Sequence, residues 1–174
     1  MNRKWALGMV IVAVLALVGC NQTVEEQASA GMLAAETIFE KEANKVNKTY
    51  GQVELYLPKG FAIEQGIDEA NFILTHDEDM YILFVNEHET EDSRLLYEIL
   101  QEDASKEVIQ EKTFETDGVF GFSAIISAAE ETSELVVSIG GAKLTTISAN
   151  KNLDEKLAEM MQIVQSVNII KSEK

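Results

Sequence analysis

One cysteine, one proline, one tryptophan and two histidines are all that this 174-residue chain has of those residue types. The single cysteine, Cys20, excludes an intramolecular disulfide and any cysteine-based metal cluster. One proline, Pro58, beside ten glycines excludes a Pro-rich linker or a collagen-like repeat. Positive charge is scarce too: 14 Lys and Arg stand against 30 Asp and Glu, a net charge of −16. A body this acidic is repelled by phosphates and by anionic head groups, so nucleic-acid binding and electrostatic adhesion to a membrane are not expected. Gly-x-Ser-x-Gly, Walker, Gly-x-Gly-x-x-Gly and His-Glu-x-x-His patterns do not occur. Hydrophobic residues still make up 46% of the chain, enough to bury the core of one domain of ordinary size.

The most informative segment is the first twenty residues. Arg3 and Lys4 precede an uncharged, mostly apolar run from Trp5 to Val18, and small Gly19 comes before Cys20. A helix over that run spans roughly 21 Å, short of the ~30 Å hydrocarbon core, which fits the apolar part of a signal peptide better than a spanning helix. Leu17-Val18-Gly19-Cys20 resembles the lipobox of bacterial lipoproteins, Leu-[Ala/Ser/Thr/Val]-[Gly/Ala]-Cys, at all four positions. The resemblance implies a diacylglyceryl group on the Cys20 sulfur with palmitate-type chains, and cleavage between Gly19 and Cys20. It also implies a lipid-anchored location on the extracytoplasmic face of a cell membrane. Cleavage would remove Arg3, Lys4 and Trp5, leaving 12 basic and 30 acidic side chains, a charge of −18. Attachment then falls to the lipid, since two acyl chains hold where one is marginal.

Beyond Cys20 the expected order is a polar tether over 20–27, an amphipathic helix over 28–49 and one domain over 50–174. Val24, Ala28, Met32, Ala35, Phe39, Ala43 and Val46 form one helical stripe reaching about Lys48, with Gly51 after Tyr50 as a C-terminal stop. The stripe is narrow and Ala-rich, suited to packing on its own domain or to receiving a second helix. Its mean spacing favours a straight helix over a left-handed coiled coil.

Alternation at Val53, Leu55 and Leu57, a turn at Pro58-Lys59-Gly60, and the segments 61–63 and 72–74 read as strands. Met80–Val85 is apolar on both faces and is expected to be a central strand covered on both sides. Leu95, Leu96, Ile99 and Leu100 form a helical face, with Thr90 or Asp92 available as N-cap. Further strands are expected over 108–115, 119–128 and 134–139, and Gly140-Gly141 makes a hairpin turn into Ala142–Ala149. Leu153, Leu157, Met160, Met161, Val164 and Val167 share the face of a last helix, for which Asn152 and Glu155 resemble a capping box. The expected fold class is α+β: an antiparallel sheet of about six to eight strands packed by helices and preceded by an N-terminal helix. In element order over about 50–170 this layout resembles the α/β/α sandwich domains of the PsbP/Mog1 type, which recur in exported lipoproteins of uncharacterised role.

Candidate chemistry is thin. His76-Asp77-Glu78-Asp79 and Glu87-His88-Glu89 contain both histidines, but a seven-residue strand between them separates them by roughly 23 Å. They cannot share a metal ion and read as charged turns with at most weak Ca²⁺ or Zn²⁺ affinity. Ser148-Ala149-Asn150-Lys151 matches Ser-x-x-Lys but closes a strand instead of opening a helix, so it reads as coincidence. Met160-Met161 reads as core filler. Tyr50, Tyr56, Tyr81 and Tyr97 are too scattered to define a binding face.

The expected function is that of a non-enzymatic binding or assembly module held at the membrane through lipid on Cys20, with an envelope protein as possible partner. No catalytic residue, cofactor or metal site is assigned. The alternatives are a surface solute- or metal-binding lipoprotein, and a carboxylate-based envelope enzyme or accessory.

Overall fold

The computed structural model of the chain describes residues 23–66 and 68–170, apart from the Gln65 side chain. The leader, Leu17-Val18-Gly19-Cys20 and the lipidation site read on Cys20 lie outside the described residues.

The first helix, α1 (Val24–Phe39), is set by its cap. The Thr23 hydroxyl accepts the Glu26 N–H at 3.2 Å and the Glu26 carboxylate accepts the Thr23 N–H at 3.1 Å, a reciprocal capping box. Glu25 and Glu26 also place negative charge on the positive end of the helix dipole. The helix therefore starts earlier than a tether ending at residue 27 allows, and it stops at Phe39 instead of near Lys48. At the stop the Gln165 amide donates to the Phe39 and Lys41 carbonyls at 3.1 and 2.7 Å, and farther on the Asn47 side-chain amide exchanges two 2.9 Å hydrogen bonds with the Leu57 backbone. Such an amide competes with helical hydrogen bonding and ties the segment to a strand. Gly51 is accordingly not a helix stop: with φ +60° it turns β1 (Lys48–Tyr50) into β2 (Val53–Leu55).

Seven strands form the main sheet: β3 (Ala62–Gln65), β4 (Asn71–His76), β5 (Asp79–Val85), β6 (Val108–Thr116), β7 (Val119–Ala129), β8 (Thr132–Ile139) and β9 (Ala142–Ala149). All neighbours are antiparallel, in the order β3-β4-β5-β9-β8-β7-β6. A small sheet orders β1-β2-β10, with β10 at Asn168–Ile169. The α+β class and the N-terminal helix stand as expected, and the Gly140-Gly141 hairpin joins β8 to β9.

Period-2 alternation gives the sheet two faces. On one, Phe72, Leu74, Tyr81, Leu83, Leu135, Val137 and Leu144 meet α1 and α3 (Leu153–Gln165) in a single core. Met160 and Met161 are fully buried there. The two helices run in the same direction, since Gln27 bonds to the Asn150 carbonyl at one end and Gln165 to the Phe39 carbonyl at the other. They touch at Gly31, where a Cβ would lie 2.7 Å from Leu157 Cδ1 and 3.2 Å from the Leu153 carbonyl oxygen. The expected capping box at Asn152 is absent: Asn152 adopts left-handed φ 54° and its side chain makes no cap hydrogen bond. Its carbonyl instead opens the helix by accepting the Lys156 N–H at 3.0 Å.

The other face carries a smaller core of Leu96, Phe120, Phe122, Ala124, Ile126 and Val136 under α2 (Leu95–Glu102). Neither Thr90 nor Asp92 caps α2, because the Thr90 hydroxyl is bonded to the Asp92 carboxylate and the helix begins after Arg94. Arg94 holds its start by pairing with Glu115 at 2.6 Å and lying 4.1 Å from the Phe120 ring centroid. Eight helical residues span only about 12 Å, so α2 covers one end of this face. On the uncovered part Met80 is 60% exposed, Ile82 48% and Ile147 65%. The expectation that β5 is covered on both sides is therefore corrected: an apolar run records that a strand is central, not that every helix reaches it.

The tight crossing gives a first testable outcome. Gly31→Val adds a branched side chain where Leu153 and Leu157 leave no room, and overpacking of this kind costs about 1–3 kcal/mol. Urea denaturation should show a lowered midpoint with an unchanged slope; an unchanged midpoint would refute the contact.

Candidate functional site

Two regions bring functional side chains together, and they lie at opposite ends of β5. At its start, Asp79 points into the main core instead of into a solvated turn. Its carboxylate accepts the Ser148 hydroxyl at 2.9–3.0 Å and the Lys156 ammonium at 2.5 Å, and Lys156 also bonds the Ser148 oxygen. His76 stacks on Phe61 with ring centroids 4.4 Å apart. Ser148 thus does have a lysine partner, but it is Lys156 from α3 and not Lys151, which is exposed. Within this contact the Ser148 hydroxyl is buried, with Ser148 only 3% exposed, while Asp79 and Lys156 are partly exposed. Its role is to tie β5, β9 and α3 together across buried polar atoms, each of which needs a partner. Burial by the same packing holds the Tyr81 phenol far above its ordinary range, with the Asp79 charge adding to it.

At the other end of β5 the structure opens into a cavity of about 560 Å³. Its first wall is the β1–β2 turn, where Tyr50 sets its ring edge-on to Phe72 at a centroid distance of 6.0 Å. A second wall is the loop carrying Asp68 and Glu69 between β3 and β4. Asp68 accepts the Ala70 and Asn71 N–H groups at 2.9 Å and the Asn71 amide at 2.8 Å. These bonds, the Asn71 side chain first, hold its carboxyl below the ordinary range and keep it charged. The third wall is the turn Asn86-Glu87-His88, and Val53 and Ile169 add apolar surface from the small sheet.

Glycine decides where that third wall sits. A Cβ on Gly141 would lie 2.6 Å from the Asn86 carbonyl oxygen, and one on Gly140 2.5 Å from that of Thr90. The Gly-Gly pair therefore does more than turn the β8–β9 hairpin: its bare backbone is the seat on which the 86–91 loop lies. Backbone bonds from Asn86 N–H to the Gly141 carbonyl at 2.9 Å and from Val85 N–H to the Ala70 carbonyl at 2.8 Å fix two walls to each other.

The two histidine clusters are kept apart, as the strand between them requires. Of the pair, only Glu87 and His88 reach the cavity, at its mouth, where the side chains are 60% and 84% exposed. Among the described residues no three His, Cys, Asp or Glu side chains converge as a metal site. Tyr50, Phe72, Asp68 and Glu69 were not marked as site residues by any sequence signal. They come from β1 of the small sheet, β4 of the main sheet and the loop before β4, segments set side by side only by the packing of one sheet on the other.

No family model matches this chain. No curated protein matches it either. Among solved structures, it is similar to cyanobacterial PsbP (CyanoP) from Synechocystis sp. PCC 6803, determined in solution. The match has 11% identity and a TM-score of 0.43, covering 68% of this chain and 86% of that one.

The core cluster generates a pH prediction through Glu159, which neighbours it. Burial raises the Glu159 carboxyl above its ordinary value, against the lowering influence of His76 and Lys156 and with that of Glu155 and Asp77. Below the ordinary Glu range, about 4.3, folded and unfolded chains both keep the proton and stability is unaffected. As pH rises through the raised value, the folded state must ionise a half-buried acid that the unfolded chain ionises freely, so stability is lost. Glu159→Gln should therefore unfold at higher urea than the native chain at neutral pH, with the gap shrinking toward pH about 4. A gap independent of pH would contradict this assignment.

Proposed function

We propose that the chain is a membrane-anchored extracytoplasmic lipoprotein whose folded domain is a non-enzymatic binding or assembly module. The observation that carries the binding part is the contrast between the two ends of β5. In the Ser–Lys–Asp contact the hydroxyl is buried and all three side chains are bonded to one another, whereas the concavity open to solvent is walled by rings, backbone and carboxylates. Such a wall is suited to holding a ligand.

The anchor part is supported by Leu17-Val18-Gly19-Cys20 and by where α1 starts. Cys20 precedes the cap Thr23 by three residues, a reach of at most about 11 Å. A lipid on Cys20 holds the α1 N-terminus close to the bilayer. The 16 residues of α1 then extend about 24 Å, and α3 runs in the same direction and leads directly into β10. Since β10 and the end of β5 carry the cavity, it lies at the end of the domain far from the anchored α1 N-terminus. The acidic surface agrees with a domain held off an anionic bilayer by its own charge and kept there by lipid alone.

Mass spectrometry of the membrane-bound protein tests the anchor. The expected product begins at Cys20 and carries the added mass of a diacylglyceryl group, and Cys20→Ala is expected to leave the chain uncleaved and without that mass. A membrane-bound chain beginning at an intact Met1 would overturn the proposal.

A further inference from the structure

We infer that the outer cavity takes a small organic cation, an ammonium group carried on an apolar body. The inference rests on the binding reading above and adds to it the chemistry of the ligand.

Size comes first. At about 560 Å³ the cavity lies within the range of pockets that enclose small molecules, and it is far larger than a single ion needs. Its carboxylates do not converge into a metal site among the described residues, so the negative charge is spread around a space instead of focused on a point.

Charge comes second. Asp68, Glu69 and Glu87 line the cavity, and no Lys or Arg does so among its described lining residues. Asp68 is held ionised by the hydrogen bonds of its own loop. A concave wall of one sign over low-dielectric protein concentrates the field and draws in the opposite charge, here with the whole chain at −16 behind it. An anionic ligand would be opposed at two of the three walls, those that carry Asp68, Glu69 and Glu87, with the His88 imidazole beside Glu87 at the mouth.

The apolar surface comes third. Tyr50, Val53, Phe72, Val85 and Ile169 supply a wall onto which a fully hydrated inorganic cation has no reason to dehydrate. An alkylammonium that bears an apolar group has one: its apolar body is removed from water, and its charge is attracted to the carboxylates and to the face of the half-buried Tyr50 ring. The charge meets the rim while the body meets the floor.

The test is calorimetric titration of the full chain in detergent with phenethylammonium, its neutral isostere 2-phenylethanol and its anionic counterpart 3-phenylpropionate. Saturable binding of the cation in the millimolar range or tighter is expected, at least about fivefold tighter than the neutral isostere, with none of the anion. Added salt should weaken the cation and leave the neutral probe unchanged. The double variant Glu69→Gln, Glu87→Gln alters two exposed side chains and should cost the cation about fivefold while leaving the neutral probe unaffected. If the neutral or anionic probe binds as well as the cation, the ligand class is refuted while the cavity remains a binding site. If no probe binds to a chain whose thermal melt is intact, the inference fails together with the binding reading of the cavity.

Discussion

The parallel contact of α1 on α3 is the constraint from which the rest of the molecule takes its layout. Gly31 lets the two helix backbones approach until the Leu157 side chain and the Leu153 carbonyl fill the space a Cβ would need. Packed that closely, the pair presents one continuous apolar surface, Ala28, Met32, Ala35 and Phe39 from α1 with Leu157, Met160, Met161 and Val164 from α3. The pair lies across β6 to β9 and leaves the β3–β4–β5 end of the same face to the small sheet. The cavity forms at the margin of that second covering, where a three-residue strand and a tight turn meet the ends of longer strands.

The same contact gives the domain a direction. With α1 and α3 pointing the same way, their N-termini and the Asp79–Ser148–Lys156 contact sit at one end, and β10, the Gly140-Gly141 hairpin and the cavity at the other. Polar side chains at the first end are committed to one another, Ser148 buried and Asp79 and Lys156 at the margin of the core. Those at the second end are committed mostly to their own loops, as Asp68 is to Asn71 and the Asn86 amide to the His88 N–H, and the exposed Asp68 and Glu87 carboxylates face solvent. Stability and binding are thus divided between the ends of one strand.

How much could be read beforehand depended on the range of the interaction. Strand alternation over β6 to β9 and the helical face of α3 were legible because each is fixed within a dozen residues by burial on one side. Helix ends were less so. Asn152 and Thr90 have the right residue types for capping, yet Asn152 adopts a left-handed conformation and Thr90 bonds Asp92, outcomes decided by the loops they sit in. The opposite error befell Met80 and Ile82: their apolar character announced a covering helix, and α2 is too short and too far along the sheet to provide it. Of the candidate site, the sequence shows Glu87 and His88 as part of a charged turn and Tyr50 as one of four scattered tyrosines, with nothing to join them.

By itself, the sequence determined the α+β class, the order of most elements, the acidic surface, the lone cysteine and the lipobox resemblance around it. Each of these is written in composition or in a short contiguous pattern. Only the tertiary structure decided which lysine meets Ser148, that Gly31 and the Gly140-Gly141 pair are places of close approach, and that Tyr50, Asp68 and Glu87 surround one space. Those facts depend on sheet order and helix direction, which bring together residues tens of positions apart, and no local periodicity encodes them.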